Sequence, residues 1–312
     1  MKGLDLSEQF FFEIGLKMLK NKFPKFLDRI AAGLAGEGSE CYGFDDEISQ
    51  DHDWGPGFCL WLVPEDYNKI GKHLQIEYDQ LTKEFKGYHE RITTPLSGQR
   101  VGVFEIYSFF KQFTGLDDVP GKLFEWQRIP EEYLSTATNG KVFMDSLGLF
   151  SNIRNKLLDY YPEDVRLKKI AARCISAGQS GQYNFPRSVK RRAYVAAHYA
   201  LSKFIQDSIS LIFLLNRKYK PFYKWMHRAL LNLPILGVPL YPIYEDIVVF
   251  DVKNGQLNFI FQQIEIISKR IIEEITKQNL SDDRSDFLCD YGPIIKNKIK
   301  DPTLRSLHVM VG

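Results

Sequence analysis

The pattern of apolar residues changes once along the chain, near residue 140, and that change sets the fold class. Before it, Ile30 to Ala35, Phe58 to Val63 and Arg100 to Tyr107 read as short strands, separated by stretches such as Leu6 to Lys20 and Glu65 to Phe85 whose apolar residues recur at helical spacing. After it, Ser146 to Tyr160, Glu163 to Ala177, Ser188 to Leu215, Phe222 to Leu233 and Asn258 to Lys277 all read as helices. The expectation is an α+β protein, with a small mixed-sheet domain over residues 1–140 followed by an α-helical bundle domain over residues 141–312. A chain of 312 residues is long enough for both.

Composition narrows the class without naming it. With 44% hydrophobic and 26% charged residues the chain is an ordinary globular one, which excludes disorder, collagen-like sequence and a disulfide scaffold. Lys plus Arg number 41 against 39 Asp plus Glu, so no bulk field calls for nucleic acid or a membrane surface, and neither is expected as a partner. Cys41, Cys59, Cys174 and Cys289 are scattered with no Cys-x-x-Cys spacing, which points to a reducing cytoplasm. The N-terminal segment mixes acids and lysines into its apolar residues, unlike a signal peptide, and the longest strongly apolar run, Ile209 to Leu215, is far short of the ~20 residues that span a bilayer.

Local charge is uneven where total charge is not. Glu37 to Asp53 holds seven acids and no Lys or Arg, whereas Asn184 to Arg228 holds ten bases and one acid, Asp207. Such runs are often solvated surface, but a concentrated acidic stretch repels itself unless a cation neutralises it. Within the acidic run, Gly38 and Ser39 close the first strand and can offer backbone N–H groups and a hydroxyl to an anion. Eleven residues separate Ser39 from Asp51, and on an extended chain Asp51 and Asp53 would face one way with Cα atoms about 6.6 Å apart. Paired carboxylates suit Mg²⁺, which takes one or two of them together with substrate phosphates, and two such ions can clamp an in-line displacement. His52 alternates away from the pair. Trp54-Gly-Pro-Gly57 then interrupts the approach to the second strand and suggests a bulge.

Gly-Ser, a spacer of this length and Asp-x-Asp ahead of an apolar strand resemble the nucleotidyltransferase superfamily, with its DNA polymerase beta-like fold. The segments GEGSECYGFDDEISQDHDWGPGF and NRKYKPFYKW look like an uncharacterised bacterial branch known as a domain of unknown function. The resemblance implies transfer of a nucleoside monophosphate from a triphosphate, ATP by expectation, to a hydroxyl. Two Mg²⁺ ions would sit on Asp51 and Asp53, and the triphosphate against Gly38 and Ser39. The superfamily often adds a third carboxylate on a neighbouring strand. Glu105 is the candidate, since an unpaired carboxylate in an apolar strand is costly to bury, with a solvated strand edge as the alternative.

The basic half supplies the remaining candidates. Arg187 and Arg191 lie four apart on a helical pattern, a spacing suited to phosphate, or to pairing with the acidic surface of the first domain. Tyr183, Asn184 and Lys224 belong to aromatic and basic segments that could line an acceptor site, although such stripes are often core with snorkelling lysines. The related antibiotic nucleotidyltransferases complete their acceptor site with a helical C-terminal domain, which would place the acceptor between the two halves. Asp145, ending the short strand pattern Val142 to Asp145, is a candidate general base or a helix cap. The leading expectation is nucleotidyl transfer to a small molecule. Transfer to a protein or RNA, or nucleotide sensing without turnover, are the alternatives.

Overall fold

The protein is described by a computed structural model that covers residues 1–51, 53–91, 98–249 and 257–312. Its contacts divide it into two compact units, the first comprising Met1–Pro120 and Tyr133–Asp159, the second Gly121–Glu132 and Tyr160–Gly312. The fold is α+β, with a small mixed sheet and a helical C-terminal region. The division expected between residues 140 and 141 moves because the sheet's last strand comes from beyond it.

The first unit is built on a four-stranded sheet of β1 (Ala31–Leu34), β2 (Cys59–Leu62), β5 (Gly102–Glu105) and β6 (Lys141–Asp145), in the order β5-β2-β1-β6. β1 runs antiparallel to both neighbours, with Gly33 opposite Cys59 and Ala31 opposite Trp61 and Asp145. β2 runs parallel to β5, with Cys59 opposite Gly102 and Leu62 opposite Glu105. Two short strands, β3 (Glu84–Phe85) and β4 (Tyr88–His89), form a separate hairpin. The expected helix from Glu65 to Phe85 therefore stops early. Its helical stretch ends at Asp79, and Lys86 and Gly87, both at positive φ, make the two-residue hairpin turn.

Both faces of β2 are covered, and its residues alternate between them. Leu60 and Leu62 pack with Leu6, Phe10, Phe11 and Leu19 of the N-terminal helical segment. Trp61 points the other way, stacked on Phe150 with ring centroids 3.8 Å apart and edge-on to Phe109. The small residues of β1 make room for this pair: a Cβ on Gly33 would lie 2.9 Å from the Trp61 ring. Leu34 is followed by Ala35 and Gly36, where the chain leaves the sheet.

In the second unit the helix Glu163–Ala177 packs against Tyr194–Leu215 and Leu288–Asn297. The single helix expected over Ser188–Leu215 is two, Phe185–Lys190 and Tyr194–Leu215. Arg192 adopts φ 58 and the Ala193 N–H donates back to the Ser188 carbonyl at 2.9 Å, a left-handed helix ending favoured by the cations gathered there. No helix among the described residues is long and apolar enough to cross a membrane.

The Trp61–Phe150 stack is the joint between the sheet and the helix Leu149–Leu158. Phe150→Ala is expected to lower stability by about 3–5 kcal/mol, read from urea unfolding of the whole chain.

Candidate functional site

The strand register gathers four chain segments at one end of the first sheet. β1 leaves there, β2 and β6 enter on either side of it, and β5 enters beside β2, so 35–43, 53–58, 98–101 and 139–140 share that end. The loop after β1 turns through Gly36 (φ 109) and Gly38 (φ 129) into a tight turn at Glu40–Tyr42. Asn139 clamps it, its Oδ1 accepting from the Gly36 N–H at 2.9 Å and its Nδ2 donating to the Gly36 carbonyl at 2.8 Å. The Gly140 N–H donates to the Cys41 carbonyl at 2.9 Å, and Tyr42 shares a hydrogen bond with Thr136 at 3.1 Å. Gly38 has to be glycine, because a Cβ would sit 2.5 Å from the Glu40 carboxylate at a φ that side chains rarely adopt. Half-buried Ser39 accepts through its carbonyl from the N–H groups of Tyr42 (3.1 Å) and Phe44 (2.9 Å).

Asp51 and Asp53 lie in this region but not on a strand. Asp51 ends a short turn in helical conformation (φ −73, ψ −31), Asp53 takes φ 51, and β2 begins only at Cys59. The extended geometry expected of the pair is replaced by turns, for which Gly55, Pro56 and Gly57 leave the chain free of a ladder. His52 lies outside the described residues. Asp51 is exposed, whereas the Asp53 side chain is 3% exposed and neither of its carboxylate oxygens has a hydrogen-bond donor among the described residues.

Two arginines that sequence reasoning passed over hold the loop to Asp53. Arg91 donates through Nη1 to Glu40 Oε1 at 2.7 Å and to the Asp53 carbonyl at 2.8 Å, with Arg91 and Glu40 side chains only 4% and 3% exposed. Burial opposes the Arg91 charge, but the Glu40 carboxylate more than offsets it and holds the guanidinium above its ordinary range. Arg100 lies between Glu37 and Asp53, at 3.7 and 3.5 Å. Arg91 Nε and Nη2 and Arg100 Nε are buried without acceptors among the described residues. The signal was available as charge complementarity, since an acidic run with buried members requires cations and these two arginines precede the strand that pairs with β2. Arg154 adds a half-buried cation behind the loop, its Nη2 donating to the Asn139 and Gly140 carbonyls at 3.3 and 3.4 Å. Cys41 and Cys59 offer no nucleophile, for burial raises both thiols, Cys59 to about 12.

The same register carries Glu105 and Asp145 to the other end of the sheet. Glu105 pairs with Leu62 and Asp145 with Ala31, opposite to the end where Gly38 and Asp53 lie. Glu105 is a helix cap: its Oε1 accepts from the Tyr107 N–H at 2.9 Å and its Oε2 from the Ser108 N–H at 2.8 Å. That accounts for a carboxylate at the end of an apolar strand without a metal. Asp145 Oδ2 accepts from the Ser151 N–H at 2.8 Å, again at the start of a helix. Among the described residues, no group of three or more His, Cys, Asp or Glu side chains is arranged to hold a metal ion.

The candidates in the second unit are exposed. Arg187 lies over the Tyr183 ring at 4.6 Å and Lys224 over the Trp225 ring at 4.8 Å, while Asn184 is exposed beside them in sequence. Arg191 caps the short helix in right-handed helical conformation, its N–H donating to the Arg187 carbonyl at 3.2 Å, so the two arginines stand one turn apart at the helix end. A denser set of charges, with Glu131, Asp207, Lys169 and Lys220 buried and Lys203 exposed, lies in this unit. Arg173 pairs with Glu131 at 3.1 Å, Lys203 with Asp207 at 3.0 Å and Lys220 with Glu132 at 3.1 Å. Lys169 is buried among them, and burial pushes its ammonium down to about 8 despite the opposing pull of Glu131. Lys169 and Arg173, and Lys203 and Asp207, stand at i and i+4, a spacing that marks a shared helical face but not its burial.

A protein-family model described as a domain of unknown function (DUF4037) matches residues 126–226. The match takes in Asp145, Tyr183, Asn184, Arg187, Arg191 and Lys224 but not Gly38, Ser39, Asp51, Asp53 or Glu105. No curated protein and no solved structure matches the chain.

Two outcomes follow from the buried charges. Glu40→Gln strands the Arg91 guanidinium in a low-dielectric site and should cost about 3–5 kcal/mol of stability in urea titrations. Lys169→Met should be at least as stable as the parent at pH 7, because it removes a buried ammonium. Lys169 titrates near 8 folded against 10.5 unfolded, so the unfolded chain binds the extra proton between those values. The parent should therefore recover stability relative to Lys169→Met as pH rises through that window. Taking the difference cancels the buried cysteines, whose raised pKa values act in the opposite direction.

Proposed function

We propose that the first unit binds a nucleoside triphosphate with a divalent cation and serves nucleotidyl transfer to a hydroxyl. The observation that carries this reading is Asp53, a buried carboxylate whose two oxygens lack donors, held beside a glycine-turned loop that ends in Ser39. Among the described residues, Glu37, Glu40 and Asp53 face two guanidiniums, Arg91 and Arg100, so the cluster has one carboxylate more than it has cations. Asp53, with Asp51 nearby in sequence, would hold Mg²⁺, which takes few carboxylates and leaves its remaining positions to phosphate and water. When bound, the ion would neutralise charge on the triphosphate oxygens.

The chain's own residues would do the rest. Gly38 lets the backbone approach the phosphates without a side chain in the way, and the Arg100 guanidinium, whose Nε lacks an acceptor among the described residues, can turn to phosphate oxygens. Arg154 pairs with no carboxylate among the described residues and supplies a further cation at the loop. In the transfer, the acceptor oxygen bonds to the α-phosphorus, the bond from that phosphorus to the bridging oxygen breaks, pyrophosphate leaves, and the hydroxyl proton passes to a base. Glu105 has no part in this reading, and Asp145, at the far end of the sheet, is not that base. The acceptor is a small molecule in the leading form of the proposal.

Removal of Glu105 from the site favours a second reading, nucleotide binding without turnover, because a pure binder needs no two-metal carboxylate set. One experiment separates the readings. Labelled ATP and the other triphosphates are titrated with Mg²⁺ or with EDTA, then incubated with a metabolite extract and assayed by mass spectrometry for nucleotidylated products. Mg²⁺-dependent binding is expected to fall at least about tenfold in Asp53→Asn with the fold retained, while Glu105→Gln loses stability and keeps binding. Binding without product supports the sensor. Equal affinity in Mg²⁺ and EDTA overturns both.

A further inference from the structure

The second unit contains a cavity of about 290 Å³, near the ~300 Å³ lower limit of small-molecule pockets. Its walls carry more positive than negative charge: Arg128, Lys169, Arg173, Lys203 and Lys220 against Glu131, Glu132 and Asp207. Each carboxylate is already engaged. Glu131 accepts from Arg173 and from the Ser210 hydroxyl at 2.9 Å, Asp207 from Lys203 and the Ser176 hydroxyl, and Glu132 from Lys220.

Arg128 is exposed over the Phe124 ring, so the buried cation left over is Lys169. It is 3% exposed, has no carboxylate within ion-pair distance among the described residues, and makes one long hydrogen bond, 3.4 Å, to the Gln127 carbonyl. Its remaining contact is the Tyr161 ring at 5.1 Å. An ammonium has three donors, and burying it with so few acceptors is costly. Gln127 has the complementary deficiency, being 7% exposed with an Oε1 that no donor reaches. Both residues line the cavity. An ammonium with a single long hydrogen bond and an amide oxygen without a donor, on the same cavity wall, describe a ligand that carries both an acceptor and a donor.

We propose that this cavity binds a small molecule bearing an oxyanion and a hydroxyl, Lys169 donating to the oxyanion and Gln127 Oε1 accepting from the hydroxyl. A phosphate monoester of a polyol and a small hydroxy acid share that chemistry. The site is independent of the nucleotide reading, since it uses residues of the second unit alone.

Calorimetric titration of the full chain with inorganic phosphate, glycerol 3-phosphate and glycerate, each at an ionic strength fixed with sodium chloride, tests it. At least one probe should bind saturably, one per chain, and lose at least about tenfold in affinity in Lys169→Met. Asp53→Asn should bind that probe as the parent does, and Gln127→Leu should erase the preference for glycerol 3-phosphate over phosphate. Preference for glycerol 3-phosphate or for glycerate identifies the oxyanion. In the unsubstituted chain, NMR of ¹³Cε-labelled lysines should show the Lys169 titration moving upward on binding, a readout that does not depend on the variant folding. No binding above chloride, undiminished binding by Lys169→Met, or a Lys169 titration that the probe leaves in place would each overturn the proposal. Binding lost in Asp53→Asn but kept in Lys169→Met would assign the anion to the first unit and overturn it equally.

Discussion

The register of β1 decides what can meet what in the first unit. Because β1 is antiparallel to both neighbours while β2 and β5 are parallel, one end of the sheet receives the segments that follow Leu34 and precede Cys59 and Gly102. Four residues of strand, at ~3.3 Å each, separate that end from the one that holds Glu105 and Asp145. No rotamer closes such a gap. A carboxylate's place in the register therefore outweighs its chemical type, and the pair of arginines brought in ahead of β5 matters more to the acidic loop than the Glu that ends it.

Burying charge in this protein follows one rule in both units: the carboxylate is satisfied first. Glu40 has Arg91, Glu131 has Arg173 and Ser210, and Asp207 has Lys203 and Ser176. Such pairs contribute little net stability over an apolar replacement, but losing one partner is costly, so they lock geometry in place. Against that background, unsatisfied groups carry information. Among the described residues, the Asp53 carboxylate lacks hydrogen-bond donors in the first unit, and in the second Lys169 makes one long hydrogen bond and Gln127 Oε1 has no donor. Each occurs where the chain could have placed an apolar side chain and did not.

Fold class was legible because it rests on periodicity. The strands at Ala31, Cys59, Gly102 and Lys141 and the helix Glu163–Ala177 fall where alternation and helical spacing put them. What the pattern hid was pairing. Val142 to Asp145 reads as a strand, but nothing in it says that its partner is β1, more than a hundred residues earlier. The break at Arg192 was hidden because left-handed φ in a non-glycine residue has no compositional mark. The candidate site was half legible: spacing singles out Gly38, Ser39 and Asp53, which the register brings to one end of the sheet, while Arg91 and Arg100 were missed because their partners are distant in sequence. Glu105 was misread because a strand-ending Glu followed by a helix is also a cap, and the Tyr107 and Ser108 N–H groups fill both its oxygens.

Under the nucleotide reading, Arg100 has two tasks that exclude each other. Beside Asp53 and Glu37, at 3.5 and 3.7 Å, it screens two acids that would otherwise repel a polyanion. A divalent cation held at Asp53 would take over that screening and make the guanidinium redundant there, and Arg100 would gain stronger, charge-assisted acceptors from a triphosphate. Its long contacts, beyond good hydrogen-bond distance, leave little to give up in the exchange. Arg91 cannot follow, because its 2.7 Å bond to Glu40 is buried and breaking it would strand a charge. On that reading the two arginines would divide the work: Arg91 fixes the loop to Asp53, and Arg100 would be the cation that the site releases to a ligand.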